Sequence, residues 1–90
     1  MMILSDTVKM MESPCYKERF RAEYFQTKIR AEKLFALIEK HKLGALDFTP
    51  SCPLALLQLQ YASMKSYLAV LETRADVEQI SLEEVRTDGN

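Results

Sequence analysis

Ninety residues make room for one small domain. The 12 basic and 13 acidic side chains leave a formal charge of −1 with His neutral, which excludes the broad basic surface of a general nucleic-acid binder but leaves room for a local basic pocket. A 48% hydrophobic share excludes a disordered tail, and two Gly, three Pro and no Trp favour helices over a turn-rich β fold. In chain order, Met1-Met2-Ile3-Leu4 is followed by Ser5 and Asp6, without the basic and long apolar regions of a signal peptide. No apolar run approaches the roughly 20 residues of a bilayer span, so the expected location is the cytosol, with no membrane partner. Met1 to Met11 suits a short helix with Ile3, Leu4, Val8 and Met11 on its apolar side.

Ser13-Pro14 punctuates the chain as a helix start, with Ser as the N-cap and Pro in the first turn. No Gly or Pro interrupts Cys15 to Lys42, and helix formers dominate the stretch. Lys40, His41 and Lys42 complement the negative end of the helix dipole, and Gly44 supplies a left-handed stop. Thr49-Pro50-Ser51-Cys52-Pro53 reads as a connector with N-cap residues among its prolines. The long helices are therefore expected at about 14–43 and 53–76, within a single domain spanning 1–90. Leu57, Tyr61, Met64, Leu68, Leu71 and Ala75 alternate four and three apart, a seam for shallow helix packing. Phe20, Tyr24, Thr27, Ala31, Leu34 and Ile38 form a weaker matching series. The short connector makes the two helices antiparallel neighbours. Ser81-Leu82-Glu83-Glu84 fits a capping box for a short C-terminal helix, and residues 87–90 are expected to fray.

The fold class is thus all-α: an antiparallel hairpin of two long helices with short terminal helices. Apolar residues off the seams, Leu56, Leu59, Tyr67 and Val70 on one helix and Phe25, Ile29, Phe35 and Leu37 on the other, exceed what one hairpin buries. Self-association is the expected cover; a monomeric three- or four-helix bundle closed by the chain ends is the alternative.

Catalytic signatures are missing from the pattern. There is no Cys-x-x-Cys, His cluster or phosphate loop, and the lone His41 lies between two lysines, where it suits dipole capping. No carboxylates form a convincing acid–base pair. No cofactor, metal or catalytic residue is expected, and the chain does not read as an enzyme. Cys15 and Cys52 each begin a long helix and would fall at opposite ends of the hairpin, too far apart for a disulfide.

The first long segment reads Tyr16-x-x-Arg19-x-x-x-Glu23, then Lys33-Leu34 and Leu37-Ile38. The second reads Phe48, Leu56-Leu57-x-x-Gln60-x-x-x-Met64-x-x-Tyr67-x-x-Val70-Leu71-x-x-Arg74. This pattern covers about two-thirds of the chain. It resembles the small helical-hairpin proteins of tailed and crAss-like phages, whose members include anti-CBASS and anti-Thoeris sponges. The resemblance implies a protein that sequesters cyclic oligonucleotide second messengers without cleaving them; the residues by themselves leave a cyclic dinucleotide, a cyclic trinucleotide and an ADP-ribose-derived ligand as alternatives. It also implies a homo-oligomer, commonly a hexamer, with cyclic-dinucleotide pockets between protomers and, in some members, a separate cyclic-trinucleotide pocket. No DNA or RNA polymer is an implied partner. Residue by residue, Tyr16 matches the aromatic of the dinucleotide pocket and Arg30 its basic group, with Lys33 the alternative one helical step on. Val70 and Arg74 match the trinucleotide pocket. Each has a plainer reading: Tyr16 as a hydrophobic anchor, Arg30 as a solvated face residue and Arg74 as a cation at a helix end. Arg19 either pairs with Glu23 or holds a neighbouring protomer. The competing function is an oligomeric helical adaptor that binds a host or phage protein through apolar helix faces.

Overall fold

The computed structural model describes residues 2–83. A 3-10 turn, Leu4–Thr7, runs directly into the single-turn helix α1, Val8–Met11. The long helices follow: α2 is Tyr16–Lys42 and α3 is Leu54–Glu78. No strand occurs among the described residues.

The helix ends follow from local hydrogen bonding. Ser13 does not cap α2 as expected. Its Oγ accepts from the N–H of Cys15 at 3.1 Å, closing a small turn over Pro14, and its carbonyl accepts from the Arg19 guanidinium at 2.8 Å. Cys15, in extended conformation, takes the N-cap position and the helix begins at Tyr16. Arg19 is thereby committed to Ser13 rather than to Glu23. At the other end, Gly44 adopts φ +67°; its N–H reaches His41 and the Ala45 N–H reaches Lys40. These two bonds form a Schellman stop in which Gly carries no Cβ penalty. Pro53 opens α3, its carbonyl accepting from Leu56 and Leu57, so neither Thr49 nor Ser51 serves as the N-cap. The far end of α3 repeats the Schellman pattern with Gln79 at φ 58°, and the Ile80 N–H bonds to Ala75 at 2.8 Å.

Side-chain contacts fix the pairing of α2 and α3 as antiparallel. Tyr16 meets Glu78, Tyr24 meets Glu72 and the Phe35 ring meets Tyr61. Both seams face inward. Phe20, Tyr24, Ala31 and Ile38 are buried on α2, as are Leu68, Leu71 and Ala75 on α3. Removal of these apolar side chains from water is the main stabilising term for such a hairpin. Leu56, Leu59, Tyr67 and Val70 remain 42–63% exposed, as does Phe35 at 46%.

Two expectations are corrected. Phe25, off the α2 seam, is only 1% exposed: it packs edge-on to Tyr24 and lies beneath the Arg21 guanidinium. The N-terminal arm does not bury Ile3, Val8 and Met11, which are all exposed. It turns Thr7, Met2 and Met10 inward instead. Thr7 Oγ1 donates to the Leu4 carbonyl at 2.7 Å and accepts from Gln26 Nε2 at 2.9 Å, so a fully enclosed hydroxyl has both partners. Beyond α3, Ile80 returns to the core and Leu82 packs against it. Residues 81–83 are not helical, and the remainder of the expected C-terminal helix lies outside the described residues. No described helix is long and apolar enough to cross a membrane.

Candidate ligand-binding site

The α2–α3 pairing brings the start of α2 against the end of α3. There Tyr16, half exposed, donates its hydroxyl hydrogen to Glu78 Oε1 at 2.9 Å and accepts from Arg74 Nη2 at 2.6 Å. Arg74 Nε in turn donates to Glu78 Oε2 at 3.2 Å. The guanidinium lies over the Phe20 ring, 4.9 Å from its centroid, and the Phe20 and Tyr16 rings stand 6.2 Å apart. The hydrogen bond to Glu78 is the main cause holding the Tyr16 phenol above its usual pKa, because ionisation would remove the donated proton and set two anions side by side.

The arrangement follows from sequence spacing. Arg74 and Glu78 are four apart on α3 and share a helix face. Tyr16 and Phe20 are four apart on α2 and meet that face across the hairpin. An aromatic face beside a guanidinium provides stacking and phosphate recognition in one place. Two of the guanidinium's five N–H donors are engaged, leaving three for a ligand.

Tyr16 and Arg74 were expected to serve different pockets, and their side chains are in direct hydrogen-bonded contact. Val70 lies one turn before Arg74 on the same helix and is 55% exposed. Arg30 and Lys33 are exposed on the middle of α2. At ~1.5 Å per residue they stand roughly 20 Å or more along the helix from Tyr16. Within one chain, Tyr16 and Arg30 therefore do not line a common pocket.

Two participants escaped the sequence reading. Glu78 stands four residues after Arg74, a spacing that pairs them on one helix face, but with α3 expected to end at 76 the pair was missed. Phe20 was read as seam and turns out also to support the guanidinium. Both cysteines are free and exposed. His41 lies in the last turn of α2, at the opposite end of that helix from Tyr16. Among the described residues no group of three His, Cys, Asp or Glu side chains is arranged to hold a metal ion.

No curated protein and no solved structure matches the chain. A family model does: Sequestin, over residues 14–77, the stretch that covers α2 and all of α3 but its last residue, Glu78, and includes Tyr16, Arg30, Lys33, Val70 and Arg74. With well over half of its residues matched, the chain belongs to the Sequestin family.

Proposed function

We propose that this protein is a phage anti-defence sponge. It binds cyclic oligonucleotide second messengers, cyclic dinucleotides first and cyclic trinucleotides second, and holds them uncleaved in the host cytosol, blocking CBASS-type immunity. The observation that carries the reading is membership, across both long helices, of a family whose name denotes sequestration rather than catalysis. The chemistry at the hairpin end is compatible with it. A cyclic dinucleotide presents two flat bases and two phosphates; the half-exposed Tyr16 ring offers a stacking face and Arg74, backed by the buried Phe20, offers guanidinium donors.

Assembly completes the site in this reading. The exposed α3 residues Leu56, Leu59, Tyr67 and Val70 pack against another copy, giving the homo-oligomer, a hexamer by resemblance. Neighbouring copies then contribute Arg30 or Lys33 to the phosphates of a ligand stacked on Tyr16. Two equivalent copies supply each group twice, which suits a ligand with two-fold or pseudo-two-fold character. A stoichiometric sponge working at sub-micromolar messenger must bind with about −8 kcal/mol or better.

The test is calorimetric titration with a panel of cyclic di- and trinucleotides. Bound ligand is then released by heat and identified by chromatography. Saturable binding with intact recovered ligand supports sequestration. Cleaved ligand refutes it in favour of an enzyme. Silence across the panel well above micromolar refutes it in favour of the protein-binding adaptor, whose docking surface would be the exposed α3 stripe.

A further inference from the structure

A groove of about 200 Å³ runs between α2 and α3, away from the Tyr16–Arg74 end. It exists because Ala31 on α2 and Ala69 on α3 carry only methyl groups where larger side chains would close the gap. Leu68 completes the apolar floor, and the Tyr61 ring, packed 5.3 Å from Phe35, forms one wall. Lys28 from α2 and Lys65 from α3 line it, and neither lies in an ion pair with a carboxylate among the described residues. Glu32 and Glu72 also line it; Glu72 accepts from the buried Tyr24 phenol at 2.8 Å.

We propose that this groove is a second binding site, shaped for one purine nucleotide unit. The base lies over Ala31 and Ala69 against Tyr61, its N–H edge donates to Glu32, and its phosphate is held by Lys28 and Lys65. Two observations narrow the ligand. The volume falls below the ~300–1,000 Å³ of ordinary small-molecule pockets, which suits a single nucleotide unit and not a whole cyclic dinucleotide. The lining carries both signs of charge. Inorganic phosphate, whose one or two O–H groups come with its own negative charge, would be repelled by the two carboxylates, whereas a purine donates N–H groups to Glu32 at a distance from its phosphate, which the lysines hold. Guanine offers two adjacent donor groups on one edge and adenine one amino group, so guanine is favoured. A free mononucleotide and one unit of a cyclic oligonucleotide share this chemistry.

The experiment is NMR of the full chain with labelled alanine methyls, titrated separately with GMP, AMP, ribose 5-phosphate, inorganic phosphate and a guanine-containing cyclic dinucleotide. GMP is expected to shift Ala31 and Ala69 saturably, AMP more weakly, and the two base-free compounds not at all. Lys28→Gln and Lys65→Gln should each weaken GMP about tenfold, the loss expected for one charge-assisted hydrogen bond. Ala69→Leu, on the exposed rim, should abolish binding while helicity by circular dichroism is retained. If the cyclic dinucleotide also moves these methyls, the site accepts a unit of a larger ligand; if GMP alone does, the site takes free nucleotide. Unmoved methyls at millimolar GMP, GMP binding that survives Ala69→Leu, or inorganic phosphate binding as tightly as GMP would each overturn the proposal. Cyclic ligands that bind while neither they nor GMP move Ala31 and Ala69 would sink the groove and leave the sponge reading standing. GMP binding with silence from every cyclic oligonucleotide would do the reverse.

Discussion

The phenol of Tyr24 donates a 2.8 Å hydrogen bond to Oε2 of Glu72 and ties the buried middle of α2 to α3. Burial first, then the hydrogen bond and the negative charge of Glu72, push this phenol up from 10.0 to about 12. The folded state therefore holds the proton more tightly than the unfolded chain. The associated stability is fully present below pH 10 and is lost as pH rises through about 12. Tyr24→Phe should cost about 1 kcal/mol at neutral pH, since exposed Glu72 recovers water as a partner. It should also flatten the alkaline loss of stability; a residual slope of the same sign is expected from Tyr16, whose phenol is also raised. Urea unfolding at neutral pH and above pH 10, on parent and variant, checks both. An equally steep alkaline loss in the variant would show that Tyr24 does not carry it.

Arg21 is the strap that holds the segment after α3. It is 8% exposed, lies 5.6 Å from the Phe25 centroid, and donates to the carbonyls of Ser81 and, at 3.0 Å, of Glu83. An arginine this enclosed is tolerated because its charge is spread over two carbonyls and an aromatic face. Arg21→Met keeps the aliphatic stem but removes the donors. It should cost about 2 kcal/mol, in the range for hydrogen bonds to a charged group. It should also speed proteolysis near residues 81–83 more than elsewhere. Chemical denaturation gives the first, and mass spectrometry of limited-digestion fragments gives the second. Uniform acceleration across the chain would mean that Arg21 supports the global fold and not this strap.

Arg21 also marks where sequence reasoning stops. The two seams were legible because Leu68, Leu71 and Ala75 repeat with a period that only a helix–helix contact rewards. Gly44 was legible because a left-handed stop favours Gly. Arg21 reads as an ordinary solvated cation until the chain after α3 folds back over it, and Phe25 reads as surplus apolar surface for the same reason. Thr7 was invisible because the N-terminal arm is anchored by a hydroxyl partner, Gln26, nineteen positions away, and not by an apolar stripe. At the candidate site, Arg74 and Tyr16 were each found by residue type and spacing. Their contact was not, because it depends on pairing α2 residue 16 with α3 residues 74 and 78 across the hairpin.

Gln79 holds a left-handed conformation, φ 58° and ψ 47°, at the end of α3. The turn is fixed by the Ile80 N–H reaching Ala75, and Ile80 and Ala75 are both buried in the core. A residue with a Cβ is disfavoured in this region by about 1–2 kcal/mol relative to the right-handed one. Gln79→Gly should therefore stabilise the protein by about 1 kcal/mol, after allowing for the greater freedom of Gly in the unfolded chain. Thermal melts by circular dichroism should show a higher Tm. A lower one would mean that the Gln79 side chain contributes more than its backbone strain costs.

The exposed α3 stripe sets the last prediction, because its residues differ in what their removal should do. Leu71 is fully buried within the hairpin, whereas Leu59 is 63% and Val70 55% exposed. Leu71→Ala should cost about 2–5 kcal/mol whatever the protein concentration, as a cavity in a packed core does. Leu59→Lys and Val70→Lys should leave the folding stability of a dilute sample within about 0.5 kcal/mol of the parent, as for surface substitutions. If copies pack through this stripe, however, the parent's Tm should rise with protein concentration and the two lysine variants should lose that dependence. Their mass by light scattering should fall toward that of one chain, and any ligand that requires Tyr16 from one copy and Arg30 from another should be lost with it. A parent that stays monomeric at every concentration would remove the oligomer from the proposed mechanism. In that case Tyr16 and Arg74, already joined at 2.6 Å, would be left as the half-site available to a single chain.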